Sequence, residues 1–235
     1  MNILITGCSS GIGYQTVLAL AQMGTHHITA IARNTLGLAQ LKQEFQALGT
    51  KSSIDTITFD LSQAHYDDLI SKLNYSNDKP LDILINNAGY LVNASFMETS
   101  IEQWHKVFEV NLFAGIKLIK ALYPKFNRSK GAHIVNVGSM GGVQGSAKYE
   151  GLAAYSASKG AVNILTESLS VEFAKENIHV NAINPGAVQT KMLEEAFPTF
   201  KASISSEQMG RYIANFALYN KGIMNGRLIQ ASLDS

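Results

Sequence analysis

The feature that most constrains this chain is a regular alternation of short apolar runs with longer amphipathic stretches, sustained from one end to the other. The apolar runs over residues 2–5, 28–32, 54–59, 81–85, 133–137, 179–183 and 227–229 predict strands. Apolar residues recurring at helical spacing predict helices over 13–23, 36–48, 63–73, 101–126, 156–176 and 206–218. Strands that alternate with helices argue for a parallel sheet with helices on both faces. Right-handed crossovers then give a doubly wound α/β fold of about seven parallel strands. With 235 residues, 46% hydrophobic and 16% charged, the chain fits a single domain over 1–235 with a large core.

Composition also removes several function classes. A net charge of +1 gives no bulk attraction to nucleic acid or an anionic membrane. No apolar run approaches the ~18 residues of a membrane span, and the start of the chain lacks the basic and apolar regions of a signal peptide. The single cysteine, Cys8, excludes an internal disulfide and fits a reducing compartment, and the six His lack metal-ligand spacing. These features point to a cytoplasmic, metal-free protein without a nucleic-acid or membrane partner.

In a doubly wound sheet the ligand lies beyond the C-terminal ends of the strands, so the residues just past each strand carry the functional expectation. After the first strand come Gly7, Ser9, Ser10, Gly11, Ile12 and Gly13, opening a helix. Glycines let the backbone approach a phosphate, and free amides at a helix N-terminus favour a pyrophosphate. Cys8 reads as a small residue tolerated in this loop. The second strand ends at Ala32 and Arg33 with no carboxylate, which favours the 2′-phosphate of NADP(H) over NAD(H); otherwise Arg33 is a solvated strand-end charge. After the third strand, Asp60 either accepts from an adenine amine or caps the next helix. Asn87, Ala88 and Gly89 would form a close-packed wall after the fourth strand, and Pro185, Gly186 and Thr190 close the sixth at the nicotinamide end. Asn111 is polar within an apolar run and is either structural or catalytic. Ser139, past the fifth strand and ahead of a glycine-rich loop, could donate to a carbonyl oxygen.

Tyr155 and Lys159 are four apart at the start of a predicted helix, which stacks a phenol beside an ammonium on one face. A phenol titrates near ~10, and a cation within about 4–6 Å lowers that value, so the pair can act as a general acid/base.

In this order and spacing, Thr6-Gly7-x-x-x-Gly11-Ile12-Gly13, Asn86-Asn87-Ala88-Gly89, Asn111, Ser139, Tyr155-x-x-x-Lys159 and Pro185-Gly186 resemble the short-chain dehydrogenase/reductase family, in its short single-domain branch, over nearly the whole chain. The resemblance implies a Rossmann fold and an oxidoreductase moving a hydride between NADP(H), or secondarily NAD(H), and a small carbonyl or alcohol substrate. Tyr155 would exchange a proton with the substrate oxygen, and Lys159 would lower its pKa and hold the nicotinamide ribose. Ser139 would position the carbonyl and Asn111 would hold a water in a proton relay. Leu61 and Val188 join the implied cofactor wall. The predicted helices over 101–126 and 156–176 commonly meet partner subunits in the family, implying a homodimer or homotetramer.

Three departures stand out. The segment between Ser139 and Tyr155 is about three residues longer than the usual pattern, and counting back by the usual spacing lands on Gly142, with Ser146 the fallback to Ser139. The inserted region around Lys148, Tyr149 and Glu150 is a candidate substrate wall. The lid segment 187–205 is short, and its Phe197 and Phe200 either cover an apolar substrate or pack on the core. The Asp-Gly-Gly often found after the last strand is missing. Two other function classes remain. A non-catalytic dinucleotide sensor or scaffold would not need the acid/base pair, which is intact here. A nucleotide-sugar epimerase or dehydratase would need a larger C-terminal domain than follows Thr190.

Overall fold

A computed structural model describes residues 1–233, so positions 234 and 235 of the expected domain lie outside the described residues. The sheet strands are β1 (Asn2–Thr6), β2 (His27–Ala32), β3 (Ser53–Thr58), β4 (Ile83–Asn86), β5 (Ala132–Val137) and β6 (Ile178–Pro185). The two-residue strands β7 (Val188–Gln189) and β8 (Ile204–Ser205) pair separately, and β9 (Leu228–Ala231) closes the main sheet. That sheet has seven strands in the order β3-β2-β1-β4-β5-β6-β9, each pairing parallel. The order reverses between β1 and β4, the switch point at which doubly wound sheets open a ligand crevice.

Eight α-helices accompany the strands: α1 (Gly11–Gln22), α2 (Thr35–Ala47), α3 (Asp67–Ser71), α4 (Ile101–Phe108), α5 (Ala114–Leu122), α6 (Ala153–Glu172), α7 (Lys191–Ala196) and α8 (Ser206–Tyr219), all within the described residues. The two-residue period of the strands divides the core between the two faces of the sheet. Ile3 and Ile5 join Val17, Leu20 and Ile213 from α1 and α8, whereas Leu4 joins Leu118 and Leu122 from α5. The expected strands and most expected helices are present, with two changes of physical origin. Only Asp67–Ser71 of the expected 63–73 helix forms, because 62–65 is an exposed polar stretch with no apolar face to bury. The expected 101–126 helix divides into α4, a π-turn over Glu109–Phe113, α5, and a 3-10 turn over Tyr123–Lys125 that contains Pro124.

One buried polar group couples the fold to pH. His133 on β5 is fully buried, with Nδ1 3.0 Å from the Ala217 carbonyl oxygen and Nε2 2.9 Å from Asn181 Nδ2. This fits only the neutral ring, with Nδ1–H donating and Nε2 accepting from the amide. Burial pushes His133 down to about 4 from 6.5, and the nearby His179 and Lys221 act in the same direction. The unfolded chain therefore binds the extra proton first, so this stability is present above pH ~6.5 and lost as pH falls toward about 4. Lowering the pH from 7.5 to 5.0 should remove about 2 kcal/mol from the unfolding free energy measured by denaturant titration. His26, also lowered by burial, adds to the loss. A His133→Gln variant should lose most of this dependence, and an unchanged slope would refute the assignment.

Candidate active site

The site begins where β1 and β4 end side by side. Thr6, 2% exposed, accepts the backbone N–H groups of Asn87 and Ala88 on its Oγ1, both at 3.0 Å. Asn87 Nδ2 returns two hydrogen bonds, to the carbonyl oxygens of Thr6 (3.0 Å) and Gly7 (3.2 Å). The fit leaves no space: a Cβ on Gly13 would fall 2.4 Å from Asn87 Nδ2 and 2.5 Å from the Gly7 oxygen. Gly7 itself sits at φ +72, a conformation that favours glycine. Helix α1 leaves this loop with Ser10 at its N-cap and, among the described residues, no side-chain cap. Side-chain oxygens of Asn34, Ser100, Thr190 and Ser205 do cap α2, α4, α7 and α8. The first-turn amides of α1 are therefore open to an anion. Across from them, Thr190 Cγ2 lies 3.4 Å from where a Cβ on Gly11 would be, so the base of the α7 segment faces the glycine loop.

The second half of the site is built on α6. Tyr155 lies in its first turn, half-buried, and Lys159 lies one turn on at 3% exposure. Lys159 Nζ donates to the Val137 carbonyl at 2.7 Å and stands 5.8 Å from the centroid of the Tyr155 ring. Burial pushes the Lys159 ammonium down to about 8. Burial also raises the Tyr155 phenol, and the Ser139 hydroxyl close to it opposes that rise. The expected lowering by Lys159 is not found: burial sets the direction for the phenol, and Nζ is directed at the Val137 oxygen.

Ser139 is held by its N–H, which donates to Asn184 Oδ1 at 3.0 Å, and its Oγ accepts from Gly141 N at 3.1 Å. Ser146 is turned into its own loop, donating to the Met140 and Val143 carbonyls. The position that the usual spacing selects, Gly142, rides on α6, and a Cβ there would fall 2.5 Å from the Lys159 carbonyl carbon. The lengthened segment thus keeps glycine at the helix contact and a hydroxyl at the phenol.

Asn111 sits in the π-turn Glu109–Phe113, a bulge type frequent at functional sites. Its Oδ1 accepts Tyr90 N at 2.7 Å, and its Nδ2 donates to the Tyr90 carbonyl and Ser158 Oγ, both at 2.9 Å. Ser158 in turn donates to the Tyr155 carbonyl at 2.7 Å. Both amide hydrogens of Asn111 are therefore committed within the protein. A Cβ on Gly89 would lie 3.6 Å from Asn111 Oδ1 and 3.7 Å from Lys159 Nζ, so these three residues converge.

Arg33 is exposed just past β2 and acts electrostatically on Asp60. Asp60 caps no helix: its Oδ1 accepts Ser62 N (2.9 Å) and Ser62 Oγ (2.8 Å), closing a turn beside buried Leu61. The first turn of α2 approaches the glycine loop closely, since a Cβ on Gly37 would fall 2.5 Å from the Ser9 oxygen. Pro185 ends β6 and Gly186 follows it, while Val188 is buried and Thr190 caps α7. Buried Cys8 donates to the Ile5 carbonyl at 3.2 Å, and burial drives its thiol far up, which makes it inert. The sequence assigned no role to three supporting residues: Thr6, Ser158 and Asn184. A polar residue inside each motif or strand end was the available signal.

Among the described residues, no helix is long and apolar enough to cross a membrane, and no cluster of three or more His, Cys, Asp or Glu could hold a metal ion. A family model described as short chain dehydrogenase matches residues 1–200. The chain is 33% identical over 196 residues to 5-keto-D-gluconate 5-reductase of Escherichia coli, covering 81% of this chain and 73% of that protein. It is 31% identical over 194 residues to cyclopentanol dehydrogenase of Comamonas sp., covering 82% and 75%. Among solved structures it resembles a 3-oxoacyl (acyl-carrier-protein) reductase from Agrobacterium tumefaciens with NADP bound, at TM-score 0.84 and 25% identity over 100% of this chain and 93% of that one. With the seven-stranded parallel order and the match over residues 1–200 in agreement, the chain belongs to the short-chain dehydrogenase/reductase family of oxidoreductases.

Proposed function

We propose that this oxidoreductase moves a hydride between NADP(H), in preference to NAD(H), and a small carbonyl or alcohol substrate, with Tyr155 as general acid/base. The observation that carries the reading is the meeting of the Ser139 hydroxyl and the Tyr155 phenol one helical turn from buried Lys159. The uncapped amides of α1, the glycines around them and the facing Thr190 fit a dinucleotide pyrophosphate.

When bound, the nicotinamide supplies or accepts the hydride, and the protein supplies orientation and proton management. Gly7, Ser9, Ser10, Gly11, Ile12 and Gly13 would line the pyrophosphate, with Arg33, exposed just past β2, to meet the 2′-phosphate. Asp60, through its second carboxylate oxygen, Leu61 and the Asn87-Ala88-Gly89 wall would border the adenosine. Pro185, Gly186, Val188 and Thr190 would border the nicotinamide. Ser139 holds the substrate oxygen against the phenol, and Tyr155 passes it a proton in reduction or takes one in oxidation. Lys159 would hold the ribose hydroxyls, and with Nζ drawn toward them its charge would favour the phenolate. Because the Asn111 side chain is committed to Tyr90 and Ser158, any relay water at Asn111 would need partners other than its amide hydrogens.

We read 1–235 as one domain acting in the cytoplasm, where the single buried thiol of Cys8 stays reduced. Exposed Ile101, Phe113, Ile164 and Val171 on α4, the π-turn and α6 support a homodimer or homotetramer.

Tyr155→Phe should lower kcat by about 10²- to 10⁴-fold while the NADPH Kd stays within about twofold; retained turnover on a carbonyl panel would remove Tyr155 from its role. For the cofactor, Arg33→Ala should weaken NADPH by about tenfold to a hundredfold and leave NADH nearly unchanged, as read by fluorescence titration. Equal losses for both would show that Arg33 does not read the 2′-phosphate.

A further inference from the structure

Three segments on the substrate side of Tyr155 meet at one residue. Asn93 lies in the loop between β4 and α4, and its Nδ2 donates at 2.6 Å to the carbonyl of Ala196, the last residue of α7. The next residue, Ala94, donates its N–H to the Gly151 carbonyl at 3.1 Å. Gly151 is at φ +81, and a Cβ there would fall 2.0 Å from Asn93 Oδ1. The Asn93 carboxamide therefore takes the space that any side chain at 151 would need. Gly151 belongs to the lengthened stretch ahead of Tyr155, four residues before the phenol.

We propose that Asn93 is a positioning residue, a clasp that ties the short lid α7 to the lengthened Ser139–Tyr155 segment and so sets the room a substrate has above Tyr155. The proposal rests on the acid/base reading of Tyr155 given above. Among the described residues, the other hydrogen bonds of the lid are local. Thr190 Oγ1 accepts Leu193 N at 3.3 Å, Gln189 Nε2 donates to Glu194 at 2.7 Å, and Gln189 Oε1 accepts Ala202 N at 2.9 Å. The lid is thus hinged on β7 and held at its far end by Asn93. Asn93 is exposed, so this bond competes with water and opens readily. Elements held by few contacts supply the mobile parts of binding sites.

With the clasp closed, the lid and the loop before α6 are kept together, which favours compact carbonyl compounds. Released, the lid admits bulkier ones. Tyr149 and Phe200, 66% and 49% exposed on the two tied segments, offer aromatic surface to such a substrate.

The test compares wild type with Asn93→Ala by hydrogen–deuterium exchange and by kcat/KM for a bulky aryl ketone over a small aliphatic ketone. Exchange in 191–203 should quicken by about threefold to tenfold. The bulky-to-small ratio should rise through KM rather than kcat, with the NADPH Kd unchanged. Gly151→Ala, which drives Asn93 out, should quicken the same peptides. Unchanged exchange in 191–203 in both variants would overturn the clasp. Faster exchange with unchanged size selectivity would reduce Asn93 to a structural contact and overturn its positioning role. If wild type turned over no carbonyl with either cofactor, the acid/base reading would fail, whereas the exchange comparison would still decide whether the clasp exists.

Discussion

The site depends on how closely the ends of β1 and β4 are joined. Thr6 takes two backbone amides of the neighbouring strand end on one hydroxyl, and Asn87 returns two bonds to the β1 end. Removing the hydroxyl would leave two part-buried N–H groups without their protein acceptor, at up to about 1–3 kcal/mol each where water cannot replace it. The closeness of this seam demands glycine at positions 7 and 13, since any side chain at 13 would strike Asn87. Glycine in turn bares the start of α1. One packing constraint thus leaves the first amides of α1 uncovered at that end of the crevice.

The other end is governed by desolvation. Lys159 is buried in the wall of the site and, among the described residues, has a single carbonyl, that of Val137, as hydrogen-bond partner. A buried ammonium with so little compensation is poised to gain from further polar partners, and the hydroxyls of a sugar would supply them. The phenol beside it is raised by the same burial. Ser139 is the protein's own counterweight, and a positive charge placed next to the phenol would be a second. In the proposed mechanism, the tuning of this phenol is completed on binding.

The strand pattern was legible because the inner strands of a covered parallel sheet are buried on both faces and must be largely apolar, and the Tyr155–Lys159 pair because helical spacing places i and i+4 together. Choosing Ser139 over Ser146 rested on its place after β5; in the structure Ser146 is turned into its own loop. Other features were hidden. Nothing in a run such as Val110-Asn111-Leu112 distinguishes a π-turn from continuous α-helix, because the difference lies in which carbonyl each amide reaches. Asp60 looked like a helix cap because Gln63 to Leu73 resembles a helix, but its exposed first half forms only a turn. The link between Asn93 and Gly151 joins residues far apart in sequence and depends on a left-handed glycine, whose conformation no periodicity reports.

The claim at the centre of this account is that Tyr155 is a phenol raised by burial and brought down by what binds beside it. Ultraviolet difference titration measures this directly: tyrosinate absorbance is followed against pH in wild type minus Tyr155→Phe, with and without NADP⁺. The account predicts that the Tyr155 component titrates above the ordinary ~10 in the protein alone and moves down by more than about one pH unit with NADP⁺. A Tyr155 component that titrates at the same pH with and without NADP⁺ would contradict it.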